Sequence, residues 1–117
     1  MTTVTPMSGG GITTPAGFRA AGIACGIKAS GRKDLAIVTA DRPVPAAGLF
    51  TTNRAKAAPV LLSQEQLGTT GGLAQGIVTN SGCANACTGS QGAADALEMA
   101  ALTAKTVSYT HLRAHET

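Results

Sequence analysis

Alanine is the chief apolar residue of this sequence, and that limits the core the chain can build. Of its 51 apolar residues, 22 are alanine, and the remainder include two Phe, one Tyr and no Trp. Burial stabilises by roughly 25 cal/mol per Å² of apolar surface, so a methyl contributes little. The chain has 117 residues, enough for one domain or a part of one. Its 15 glycines add backbone entropy that folding must overcome. A chain so built is expected to lean on something larger.

Charged residues make up 13% of the sequence, too few for a solvated disordered tail or a coiled coil. No apolar run approaches the roughly 20 residues of a membrane span. The best candidate, residues 20–27, is short, broken by Gly22 and Gly26, and followed by Lys28. It also lies too far from the start for a secretory segment. The expectation is a soluble, cytoplasmic protein that does not engage a membrane.

Between Arg19 and Lys56 seven basic residues face two acids, Asp34 and Asp41. The aromatic residues that would stack bases are missing, so no nucleic-acid partner is expected. Cys25, Cys83 and Cys87 form an odd set with no export signal and are expected to be reduced. Zinc takes four ligands, and histidine is absent before residue 111, so no metal site is expected. No cofactor is expected either.

Residues 107–117, VSYTHLRAHET, break from everything before them. They hold both histidines and the only tyrosine. The string resembles an in-frame reading of a transposase adapter, and it is set aside as an artefactual tail. His111 and His115, although spaced i, i+4, are set aside with it.

The remaining chain divides into a flexible start, residues 1–10, and a folded part, residues 11–106. Residues 17–28 suggest a strand with a partner or a turn, and residues 30–34 have turn composition. Residues 35–39 read as a buried strand, stopped by Arg42-Pro43-Val44-Pro45 because proline cannot donate to a ladder. Residues 47–53 and 58–63 read as two further strands. Residues 63–67 suggest a single helical turn, 68–72 a loop and 76–80 a strand. Thr88 and Gln91 have the spacing of a capping box, and Ala94, Leu97, Ala101 and Ala104 then recur at helical spacing. The class is α/β, mixed strands with one clear C-terminal helix.

The strand–loop–helix unit at residues 80–90 carries the most chemistry. Asn80, Ser81, Gly82 and Asn85 are the candidate substrate-loop residues. Small residues let a ligand approach the backbone, and amides at a helix start attract anions. No phosphate-loop or dinucleotide fingerprint is present. A tight connection that needs Gly and Asn for its turns explains the same residues. No nucleophile–base pair can be assembled, since Cys83 and Cys87 lack a histidine and no G-x-S-x-G occurs.

Three blocks of the sequence resemble the amino-terminal part of the ornithine acetyltransferase family. They are Gly17-Phe-Arg-Ala-Ala-Gly-Ile-Ala-Cys-Gly-Ile-Lys28, the Gly48-Leu-Phe-Thr-Thr-Asn-Arg-Ala-Lys-Ala-Ala-Pro-Val60 block, and Val78-Thr-Asn-Ser-Gly-Cys-Ala-Asn-Ala-Cys-Thr-Gly89. Asp34-Leu-Ala-Ile-Val38 and the helix at residues 91–105 extend the likeness to about residues 11–105. Cys83 departs from it, where the family more often has Asn or Gly.

The resemblance implies a partial domain of a larger αββα fold and a glutamate N-acetyltransferase of arginine biosynthesis. Such an enzyme moves an acetyl group from N-acetylornithine to glutamate, some members also using acetyl-CoA. The implied nucleophile is a threonine freed as the amino terminus of a second chain by self-cleavage, in a heterotetramer of two alpha and two beta chains. That threonine, the oxyanion Thr-Gly pair and the substrate lysine all belong beyond Lys105. Thr69-Thr70-Gly71 and Thr88-Gly89 lie in the wrong blocks, so the catalytic list is empty and the fragment is expected to be inactive alone. The residues themselves leave open an anion- or nucleotide-binding module using the 80–90 loop, or a nonenzymatic fragment that pairs with a partner chain.

Overall fold

A computed structural model describes residues 2–108. The elements run β1 (Phe18–Ile23), β2 (Leu35–Pro45), α1 (Ala58–Thr69), β3 (Leu73–Asn80) and α2 (Gly89–Ser108). The strands form one antiparallel sheet in the order β1-β2-β3, with both helices packed against each other and α2 also touching β3. The mixed α/β class stands. Residues 109–117, most of the segment set aside above, lie outside the described residues, as do His111 and His115.

The expected stop at Pro43 is not there. Strand β2 continues through both prolines to Pro45, pairing Val44 with Ala74 and Pro45 with Leu73. Two features permit it. The register jumps between Thr39 and Val44, so Ala40 to Pro43 bulge out of the ladder. In addition β1 pairs no further than Ala40, which leaves the rest of β2 as an edge where a missing donor costs little. Gln75 sits opposite the bulge and donates from Nε2 to the Ala40 carbonyl at 3.2 Å, replacing a ladder bond.

The two strands expected at residues 47–53 and 58–63 are likewise absent. Residues 46–57 have no regular structure, and the second run opens α1. Pro59 stands in the first helical turn, where its fixed φ suits a helix and its missing N–H is not needed. The β-branched content there is one residue, Val60, so the apolar run carries no strong strand preference. Helix α1 ends where Gly71 and Gly72 take φ of 68° and 84°, a backbone that glycine adopts without strain.

Helix α2 forms as expected but presents a different face. Gly92 and Ala96 are buried, and Met99 and Thr103 are half-buried below them, whereas Ala94, Leu97 and Ala101 are exposed. In so alanine-rich a helix the side chains hardly choose between stripes. The loop before α2 chooses, because it is bonded to Gly92. Gln91 does not close a capping box; its Nε2 donates to Asp95 Oδ1 at 2.8 Å.

Among the described residues the buried hydrophobics are Ala40 and Ala96. Leu61, Leu97, Leu102 and Ile77 are all more than half exposed. The thin core expected from alanine is observed.

Candidate functional site

The 80–88 loop joins the end of β3 to the start of α2, and its polar side chains are spent mostly within it. Asn80 donates from Nδ2 to the Cys83 carbonyl at 3.2 Å, and Asn85 donates from Nδ2 to the Gly92 carbonyl at 2.8 Å. The Thr88 hydroxyl donates to Asn85 Oδ1, so Asn85 is held within the loop by one polar atom and to the first turn of α2 by the other. Cys87 holds φ of 57°, a conformation uncommon for a residue with a side chain. Such a backbone persists where its surroundings over-determine it.

The loop is held on its other side by Asp34. The Ser81 amide donates to the Asp34 carbonyl at 2.9 Å. The Asp34 carboxylate, 3% exposed, accepts from the Cys25, Ile27 and Lys28 amides at 2.8, 2.7 and 2.9 Å, and from the Cys25 thiol at 3.1 Å. These donors, the Cys25 amide foremost, hold its carboxyl well below the usual carboxylate range. The same contact pushes the Cys25 thiol above its ordinary value. That thiol is correspondingly a poor nucleophile.

Beside the loop, α1 and α2 diverge into an open groove. Ala58, Leu61, Leu62, Ala94 and Leu97 give it apolar walls, with Lys56, Glu65, Cys87 and Thr88 at its borders. The four substrate-loop candidates therefore occupy one connection. Ser81 and Asn80 sit by the sheet, and Asn85 sits by the helix. Sequence reasoning missed Asp34 and Gly92 as residues bonded to this loop. Asp34 was legible only as a turn residue, and the closeness of Gly92 to Asn85 is tertiary.

A family model describing the ArgJ family matches residues 19–116. The chain belongs to the ArgJ family. It is 62% identical over 87 residues to the arginine biosynthesis bifunctional protein ArgJ of Mycolicibacterium paratuberculosis, covering 74% of this chain and 21% of that one. To the ArgJ protein of Dehalococcoides mccartyi it is 53% identical over 100 residues, 84% of this chain and 24% of the relative. It thus spans about a fifth to a quarter of the length of these curated relatives.

Two solved structures share the fold. The ornithine acetyltransferase of Mycobacterium tuberculosis complexed with ornithine superposes with a TM-score of 0.78 at 52% identity, over 85% of this chain and 51% of that one. The bifunctional ArgJ protein of Bacillus halodurans gives 0.79 at 41% identity, over 83% and 50%. The family resemblance seen in the three sequence blocks is thereby shown. Among the described residues no helix is long and apolar enough to cross a membrane.

If Asn85 braces the loop, Asn85→Ala should cost about 1–2 kcal/mol, through loss of the part-buried bond to the Gly92 carbonyl and of the one accepted from Thr88. Asn80→Ala, at an exposed bond, should cost less than half of that. Urea titrations followed by circular dichroism check the ranking, and equal effects would contradict it.

Proposed function

We propose that this chain is the amino-terminal portion of a cytoplasmic glutamate N-acetyltransferase, which passes an acetyl group from N-acetylornithine, or from acetyl-CoA, to glutamate in arginine biosynthesis. The likeness to an ornithine acetyltransferase solved with ornithine, over 85% of the chain, is the observation that carries this reading. The acetyl-carrying threonine and its oxyanion donors belong to sequence beyond α2, as does the second chain of the heterotetramer. The residues in hand supply a scaffold, and the 80–85 loop braces the cleft. The engagement of both asparagines, Asn80 within the loop and Asn85 to the first turn of α2, speaks for bracing over an anion- or nucleotide-binding role.

The purified 117-residue chain is expected to release no ornithine from N-acetylornithine and glutamate. Fused to the remaining sequence of the Mycolicibacterium paratuberculosis relative, it should restore growth without arginine to a strain lacking its own acetyltransferase. Failure of that fusion, with the whole relative restoring growth, would sink the reading. In the same fusion Asn85→Ala should lower stability and leave turnover unchanged if the loop is a brace.

We further propose residues 1–10 as a flexible amino terminus and 11–106 as the amino-terminal part of the acetyltransferase domain, with 107–117 foreign to it. The break in composition at Val107 supports the last point. Resequencing the gene across Thr106 and Val107 decides between that and a native tail.

A further inference from the structure

We propose that Asp34 is a positioning residue for the 80–85 loop, clamping the 25–28 turn with its carboxylate so that the turn forms the surface on which Gly82 rests. Two sets of contacts meet at this one residue. Its carbonyl takes the Ser81 amide, which fixes the entry of the loop. Its carboxylate takes three consecutive-turn donors, the Cys25, Ile27 and Lys28 amides, together with the Cys25 thiol.

The turn and the loop are in close contact. A Cβ at Gly82 would lie 2.7 Å from Lys28 Cγ and 3.2 Å from Ile27 Cγ2, and Gly82 holds φ of 101°, which favours glycine. The loop therefore fits only against a turn held in this place. Little else holds the turn. It contains Gly26 at φ 90°, and the nearest backbone bond, from the Gly31 amide to the Lys28 carbonyl at 3.2 Å, closes the following turn and not this one. A buried carboxylate that accepts from several amides fixes such a segment through charge-assisted hydrogen bonds. The stem of Lys28 lies over Gly82 for the same reason, so Asp34 also places a cationic side chain beside the loop.

The loop's place at a cleft rests on the reading above, but the clamp does not. It is therefore tested in this chain, with no acetyl transfer required. In Asp34→Asn the carboxamide cannot accept from all four donors. Iodoacetamide should alkylate Cys25 about tenfold faster, and amide exchange at Ser81, Gly82 and Cys83 should rise by a similar factor. Cys87 alkylation and exchange within α2 should stay unchanged. A role in general stability would move Cys87 and α2 as well.

Gly82→Ala supplies the reciprocal test, because it presses on the turn from the loop side with Asp34 intact. It should speed Cys25 alkylation several-fold. Unchanged loop exchange in Asp34→Asn, with α2 still protected, overturns the proposal. Should Asp34→Asn unfold the whole chain, Gly82→Ala decides: faster Cys25 alkylation supports the clamp, and an unchanged rate overturns it.

Discussion

Gly92→Ala is expected to destabilise this chain by about 1–3 kcal/mol, the range of overpacking at a tight contact. In an ordinary helix the same substitution is favourable by about 1 kcal/mol, since alanine loses less backbone entropy. Here a Cβ would meet Thr88 Oγ1 and Asn85 Oδ1 and lie 2.6 Å from Thr88 Cβ. Neither neighbour is the far end of a flexible side chain that can swing away. Asn85 is bonded to the Gly92 carbonyl, and Thr88 is bonded to Asn85. The preceding residue, Cys87, already sits at φ 57°. Gly68, inside α1, gives the contrast, because a Cβ there meets nothing within 4 Å. Gly68→Ala should therefore leave stability unchanged or raise it by up to about 1 kcal/mol. Urea titrations of both variants test the pair. A stabilising Gly92→Ala would mean that Asn85 and Thr88 do not press on Gly92 as described.

That contrast also marks where the sequence stops being legible. The first half of β2, strand β3 and the helix after Thr88 announce themselves through β-branched runs, turn residues and helical spacing, whereas Ala/Gly-rich β1 is only suggested. Their signals are local. Helix α1 was hidden because Ala58, Val60, Leu61 and Leu62 suit a strand as well as a helix over so short a run. Pro59 was the residue that pointed to a helix start. The continuation of β2 depends on how far β1 reaches along it, which only the pairing of Phe18 with Ala40 reveals. The buried face of α2 was ambiguous because alanine occupies several stripes, and a glycine with no side chain decided it. The family blocks were legible throughout, since they depend on residue identity and not on conformation. At the candidate site the asparagines stood out, whereas the residue that holds their loop, Asp34, lies 46 positions before Asn80.

Acid should unfold this chain, and Asp34 should carry much of the effect. Its carboxyl is held below the usual range by the Cys25, Lys28 and Ile27 amides and the Cys25 thiol. In the unfolded chain it titrates near the ordinary aspartate value of about 4. The folded state thus binds the proton less readily than the unfolded state, and stability rises with pH wherever the unfolded chain is protonated. The contribution is complete above about pH 4 and is lost progressively as pH falls toward the depressed folded value. With Ala40 and Ala96 as the buried hydrophobics among the described residues, there is little core to compensate. The urea midpoint of the native sequence should fall steeply below about pH 4. Asp34→Asn should be weaker at neutral pH and nearly flat through the same window, because its side chain has no proton to gain. The two titrations should converge in acid. Parallel curves would assign the acid sensitivity to other carboxylates and show that the Asp34 contacts do not distinguish its charged form.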